Sequence, residues 1–201
     1  MAISLQKGQK VSLQKKSPAG LGEILVNLNW NSTPQNQGFL KSMFGGNQGI
    51  DLDLGCLFEL KDGSKGAVQA LGNSFGSLTR PPYIALDGDD RTGAAAAGEN
   101  LRINGNQISN IRRVLVYTFI YEGVANWRQA DATVTIKYPG AEDLIVKMDS
   151  YNSSEKMCAL ALFENVKDET FSVEKFVQFY EGHAKMDKAF QWGLNWKPGR
   201  K

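Results

Sequence analysis

Val114-Leu-Val-Tyr-Thr-Phe-Ile-Tyr121 is apolar at nearly every position and rich in β-branched and aromatic side chains. A strand of this kind suits burial on both faces, and therefore the centre of a sheet rather than its edge. Next along the chain, Ala130 to Ile136 alternates, with Ala132, Val134 and Ile136 on one face and Asp131, Thr133 and Thr135 on the other. That is the pattern of a half-exposed neighbour. Working outward, extended segments recur between clusters of Gly, Asn, Asp and Pro, the rhythm of an all-β sandwich. Strands are predicted at Lys10 to Leu13, Glu23 to Asn29, Leu52 to Leu60, Tyr83 to Leu86, Asn100 to Ile103 and Arg113 to Ile120. Further strands follow at Thr133 to Tyr138, Asp143 to Met148, Met157 to Asn165 and Thr170 to Tyr180. Leu60-Lys-Asp-Gly-Ser64 reads as a hairpin turn, because Asp-Gly tolerates positive φ. Asn31 to Ile50 lacks periodicity and reads as a mobile loop. One helix is predicted over Gly182 to Gly193, with Met186, Ala189 and Phe190 on one side. The expected fold is an all-β sandwich of two mainly antiparallel sheets with one short C-terminal helix.

The 201 residues fit a single domain, 1–201, with 42% hydrophobic and 22% charged residues. A formal charge of +2 creates no field directed at nucleic acid or lipid, so neither a nucleic-acid partner nor direct membrane insertion is expected. Arg112 and Arg113 read as strand solvation rather than phosphate binding. The N-terminus lacks an apolar run of signal-peptide length, which points to a cytoplasmic protein. Cys56 and Cys158 lie in apolar runs and read as buried, reduced packing residues.

The chemistry-bearing stretch is Leu86-Asp-Gly-Asp-Asp-Arg-Thr-Gly-Ala-Ala-Ala-Ala-Gly-Glu-Asn100, which places Asp87, Asp89, Asp90 and Glu99 among small, turn-permitting residues. Hard cations bind such oxygen clusters, calcium taking about six to eight oxygen ligands. A solvated turn reads the same composition equally well. Asp51-Leu-Asp53 adds a period-2 pair whose carboxylates project from one strand face while Leu52 and Leu54 point to the other. An EF-hand is excluded, because the obligatory glycine position holds Thr92 and the final ligand position holds Gly98. Catalysis finds little support. The one histidine, His183, reads as a surface or cap residue, and no Gly-rich loop has the ending of a phosphate site. Trp30, Trp127, Trp192 and Trp196 read as core and sheet-edge residues rather than a stacking platform.

These residues together resemble the TerD family of bacterial tellurium-resistance and stress proteins. The resemblance runs from Ile3-Ser-Leu-Gln-Lys-Gly-Gln-Lys-Val-Ser-Leu13 through Leu21 to Trp30 and Asp51-Leu-Asp53, and peaks at Gly88-Asp-Asp-Arg-Thr-Gly93. Leu57 to Gly66, Phe163-Glu-Asn-Val-Lys167 and Trp192-Gly-Leu-Asn-Trp196 are closest to the TerA branch. The resemblance implies a β-sandwich that binds calcium without catalytic activity. The implied ligands are Asp51, Asp53, Asp89, Asp90 and Glu99, completed by backbone oxygens around Thr92 and Gly93. The family's further acidic residues are replaced here by Ala94 to Ala97, and an Asp after the early Trp by Asn31. One Ca2+ at most is therefore implied, in a module that acts with other proteins of a resistance or stress complex. The alternatives are a metal-poor scaffold subunit of such a complex and, less favoured, an enzyme acting on tellurite or a phosphorylated metabolite.

Overall fold

The double-sided run at 114–121 lies within a twelve-residue strand, Ile111–Glu122, of a computed structural model that describes residues 2–15, 20–31, 50–88, 98–122, 126–149, 151 and 154–197. In chain order the strands are β1 (Ala2–Ser4), β2 (Lys10–Ser12), β3 (Glu23–Asn29), β4 (Asp51–Leu60), β5 (Lys65–Gln69), β6 (Gly76–Ser77), β7 (Ile84–Leu86) and β8 (Glu99–Asn104). They continue as β9 (Ile111–Glu122), β10 (Thr133–Lys137), β11 (Asp143–Lys147), β12 (Met157–Val166) and β13 (Thr170–Tyr180). One sheet has the order β1-β11-β10-β3-β8-β7-β6 and the other β2-β13-β12-β9-β4-β5. Among the described strands only β1 on β11 is a parallel pair. A 3-10 turn (Gly105–Asn110), a helical turn α1 (Trp127–Ala130) and the C-terminal helix α2 (His183–Ala189) complete the all-β sandwich.

β9 explains why the second sheet is buried twice. Val114, Val116 and Ile120 enter the core between the sheets, with Leu52, Leu54 and Cys56 of β4 and Ile24, Val26 and Leu28 of β3. Leu115, Tyr117 and Phe119 face the other way and pack with Leu57, Met157, Met186 and Trp192. Each fully buried side chain of this size contributes roughly 1.5–3 kcal/mol, so both faces stabilise the strand. The outer layer is α2 and the segment after it. Met186 and Phe190 turn inward as the helical pattern predicts, but Ala189 is exposed and Asp187 is buried in its stead. Asp187 tolerates burial because its carboxylate accepts from the Gly193 and Leu194 N–H groups (2.8 and 3.0 Å) and from Trp196 Nε1 (3.1 Å).

The hairpin read at 60–64 joins β4 to β5. Gly63 takes φ +88, and Asp62 Oδ1 accepts the Ser64 N–H at 2.8 Å. Strands β1, β5 and β6 carry no alternation that sequence could reveal. β1 and β2 form a strap, β1 pairing with β11 in one sheet and β2 with β13 in the other. Lys175, 2% exposed, fastens the strap by donating from Nζ to the Leu5 carbonyl (3.0 Å) and to Asp149 Oδ2 (2.6 Å). Of the loop read at Asn31 to Ile50, residues 32–49 lie outside the described residues.

Thr118 sits at 0% exposure opposite Leu54 on β4 and Cys158 on β12, and its Oγ1 has no hydrogen-bond partner among the described residues. Removing an unsatisfied buried hydroxyl without changing shape relieves its desolvation cost. Thr118→Val is expected to stabilise the fold by about 1 kcal/mol. The check is a higher urea midpoint at unchanged m-value, and an unchanged or lower midpoint refutes it.

Candidate functional site

Three of the carboxylates picked from sequence come to one end of the sandwich, where β4 and β8 begin. Asp51 and Asp53 lie on the face of β4 opposite Leu52 and Leu54, at 8% and 0% exposure. Glu99, 2% exposed, opens β8 in the facing sheet, and its Oε2 accepts the Leu54 N–H at 2.6 Å. This bond carries the Glu99 carboxylate across to the Asp53–Leu54 peptide. Gly98, just before Glu99, lets β8 start close against β3: at φ +63, a Cβ there would stand 2.1 Å from the Leu28 carbonyl oxygen.

Asp89, Asp90, Thr92 and Gly93 fall in the stretch 89–97, outside the described residues. Both ends of that stretch are anchored near Glu99, because Leu86 pairs with Leu101 just beyond it. Among the described residues no three His, Cys, Asp or Glu side chains are arranged to hold a metal ion. Asp51, Asp53 and Glu99 share one end of the sandwich without themselves making a metal site. The donor set consists of carboxylate oxygens alone, which fits a hard cation such as calcium and not a metal that prefers nitrogen or sulfur.

Asp87, an equal candidate by composition, is engaged elsewhere. Arg102 grips it bidentately, Nε on Oδ1 and Nη2 on Oδ2, both at 2.6 Å, and also reaches Glu23. A carboxylate held in such a fork is committed to Arg102.

His183 corrects the sequence reading of a surface or cap residue. Its ring lies 5.5 Å from Tyr117, 5.1 Å from Phe119 and 4.6 Å from Trp196, and Nε2 stands 3.0 Å from Gln69 Oε1. Burial among these rings lowers its pKa to about 4, so the imidazole is neutral at pH 7. Nothing in the local sequence around residue 183 announces the aromatic cage, which is assembled from β9 and the C-terminal tail. The thiols agree with expectation. Both are 0% exposed, and burial pushes Cys56 up to about 12 and Cys158 higher still. Arg112 and Arg113 do more than solvate a strand, since both bind Glu59, at 2.7 and 2.6 Å. Trp30, Trp127 and Trp192 are buried, and each donates its indole N–H to a backbone carbonyl.

A two-sheet sandwich with Asp-Leu-Asp on one strand and an acidic Gly-flanked loop opening the opposed sheet defines a class. Residues 1–138 match the TerD domain, and the chain belongs to the TerD family. Within it, the chain is 43% identical over 199 residues to the tellurium resistance protein TerA of an Alcaligenes species, covering 96% of this chain and 58% of that protein. It is also 34% identical over 128 residues to the stress response protein SCP2 of Bacillus subtilis strain 168, covering 62% of this chain and 63% of SCP2. The chain therefore spans about three fifths of the length of these relatives. The fold is similar to the crystal structure of a homologue of the telluride resistance protein TerD from Streptomyces coelicolor A3(2). That match has a TM-score of 0.55 and 17% identity over 84% of this chain and 95% of that one. A crystal structure of a protein of unknown function matches at TM-score 0.62 with 15% identity, covering 88% of this chain and 99% of its own.

The histidine makes a pH prediction. Its folded pKa is depressed below the unfolded value near 6.5, so the unfolded chain binds more protons between the two. The stability contributed by burying the neutral ring is complete above about pH 6.5 and declines as pH falls through about 4. His183→Phe keeps a ring and cannot protonate. As pH falls from 7.5 to 4, wild type is expected to lose on the order of 2 kcal/mol relative to the variant, after discount for partial exposure. Parallel urea midpoints across the range would show that the ring titrates in the fold as it does in the unfolded chain, and would refute the depressed pKa.

Proposed function

We propose that the chain is a calcium-binding module of a tellurium-resistance or general stress-response system, acting by association with other proteins and not as an enzyme. The carrying observation is the burial of Asp51, Asp53 and Glu99 at the end of the sandwich where Leu86 pairs with Leu101, on either side of the chain segment that carries Gly88-Asp-Asp-Arg-Thr-Gly93. Like charges repel strongly where solvent screening is weak, and a divalent cation relieves that repulsion while tying the loop to both sheets. Asp51, Asp53 and Glu99 would hold the ion from the sheets, with Asp89, Asp90 and backbone oxygens at Thr92 and Gly93 from the loop. Its role is structural: it fixes a surface that a partner reads. The names of the relatives TerA and SCP2 supply the resistance and stress setting. The non-enzymatic reading is supported by the caged neutral His183 and the two buried, high-pKa thiols, which offer neither a base near neutrality nor a reactive nucleophile.

Calorimetry with calcium on chelator-treated protein tests the reading, alongside melting temperature. Saturating calcium is expected to raise the melting temperature of wild type, through stabilisation of the form that binds it. Asp53→Asn and Asp89→Asn should weaken binding about tenfold or more and shrink the rise, since each removes an anionic ligand from a carboxylate-poor set. Asp87→Asn should start from a lower melting temperature, having lost the Arg102 fork, and still show the full calcium-induced rise. Absence of heat at millimolar calcium with no thermal shift would overturn the proposal in favour of the metal-poor scaffold.

A further inference from the structure

The segment 194–197 passes over the end of β5 and leaves a cavity of about 570 Å³ between the tail, His183 and the turn after β5. This lies on the outer face of the second sheet, and its volume is within the usual span for small-molecule sites, about 300–1,000 Å³. Its walls include Leu71, Leu194 and Trp196, with Gln69, His183 and Lys197 as polar groups. Gly72, at φ +80, leaves the rim open, with nothing within 4 Å of where a Cβ would stand.

Gln69 and His183 are held in fixed orientations. Gln69 Oε1 accepts the Tyr117 hydroxyl at 2.6 Å and faces His183 Nε2 at 3.0 Å, while Gln69 Nε2 donates to the Leu71 carbonyl at 3.1 Å. An amide oxygen can only accept, so the neutral imidazole carries its proton on Nε2 and Nδ1 becomes an acceptor. No described residue donates to that Nδ1. Trp196 is fixed by its Nε1 bond to Asp187 and by its contact with the His183 ring, 4.6 Å between centroids. Lys197 is the one charged residue of the lining and forms no ion pair among the described residues. The nearby Asp187 carboxylate is already engaged by three N–H donors.

A pre-set indole and aliphatic wall takes a flat ring, and a lone ammonium at the rim selects negative charge. We propose that this cavity is a binding site for a small planar aromatic anion of the aromatic carboxylate class. The ring packs against Trp196, Leu71 and Leu194, and the carboxylate faces Lys197. The site is independent of the calcium reading, because it uses none of the acidic residues.

The probe is 2-naphthoate, titrated into the full chain and followed by amide chemical shifts, with 2-naphthalenemethanol and cyclohexanecarboxylate as neutral and non-aromatic comparators. The expected result is saturable shifts around Gly66, Gln69 and Leu194, with a Kd of about 1 mM as befits a ligand of this size. Each comparator should bind about threefold to tenfold more weakly, having lost either charge or ring. Lys197→Gln, at an exposed position, should erase the preference for naphthoate over its alcohol, and Ala67→Phe should fill the cavity and abolish both. If Ala67→Phe fails to fold, Lys197→Gln still decides. Shifts that do not saturate, or a naphthoate preference that survives in Lys197→Gln, overturn the proposal.

Discussion

The Arg113 guanidinium fastens the outer layer to the second sheet. It lies 3.8 Å over the Trp192 ring, donates to Glu59 at 2.6 Å, and reaches the carbonyls of Phe190 and Gln191 at 3.1 and 3.3 Å. One planar cation therefore joins β9, β4 and the end of α2, which is the joint where the outer layer meets the sheet. Burial works to raise the Glu59 carboxyl pKa, and Arg113, Arg112 and Lys65 together outweigh it and hold the pKa below the usual range. Without that joint, Leu57, Leu115, Tyr117 and Phe119 would form an apolar patch facing water. The double-sided strand, the caged histidine and the cavity beside it all presuppose that the tail is down.

The two ends of the molecule are organised by different physics. At the outer face, dispersion and ring packing set the geometry, and the buried carboxylates there, Glu59 and Asp187, are each held by several donors. At the acidic end, charge is concentrated on purpose-placed backbone: Glu99 crosses from one sheet to the other to reach a single N–H on β4. Asp87 and Arg102 then fix where the loop leaves the sheet. A sandwich is suited to this arrangement, because its strand ends bring loops from both sheets to one rim while the core keeps them in register.

The elements legible in the sequence are those whose information is local. Glu23–Asn29 and Thr170–Tyr180 are strands over the residues that alternation and turn signals delimit. Asp-Leu-Asp could be assigned its two faces from period alone. By contrast, β5 reads Lys-Gly-Ala-Val-Gln, which has no face of its own and becomes a strand only because β4 offers it a partner. All three residues of β1 are exposed, and the strand exists through its pairing with β11. The same holds for the sites. Asp51, Asp53 and Glu99 were recognisable as acids in a telling pattern, but the removal of Asp87 by Arg102, and the burial of His183 beneath Trp196, are long-range events. No window of sequence contains them.

The strap at the N-terminus has a consequence for the order in which the molecule can be made. β1 waits for β11 at 143–147, β2 for β13 at 170–180, and Leu5 for the ammonium of Lys175. During synthesis residues 2–12 emerge well before either partner strand, β11 or β13, has been made, and both sheets stay open along that side in the meantime. Contacts of such sequence separation slow folding and lengthen exposure of unpaired strand edges. The nascent segment meets that interval with Lys7 and Lys10 spaced among polar residues, a composition that discourages pairing with the wrong edge.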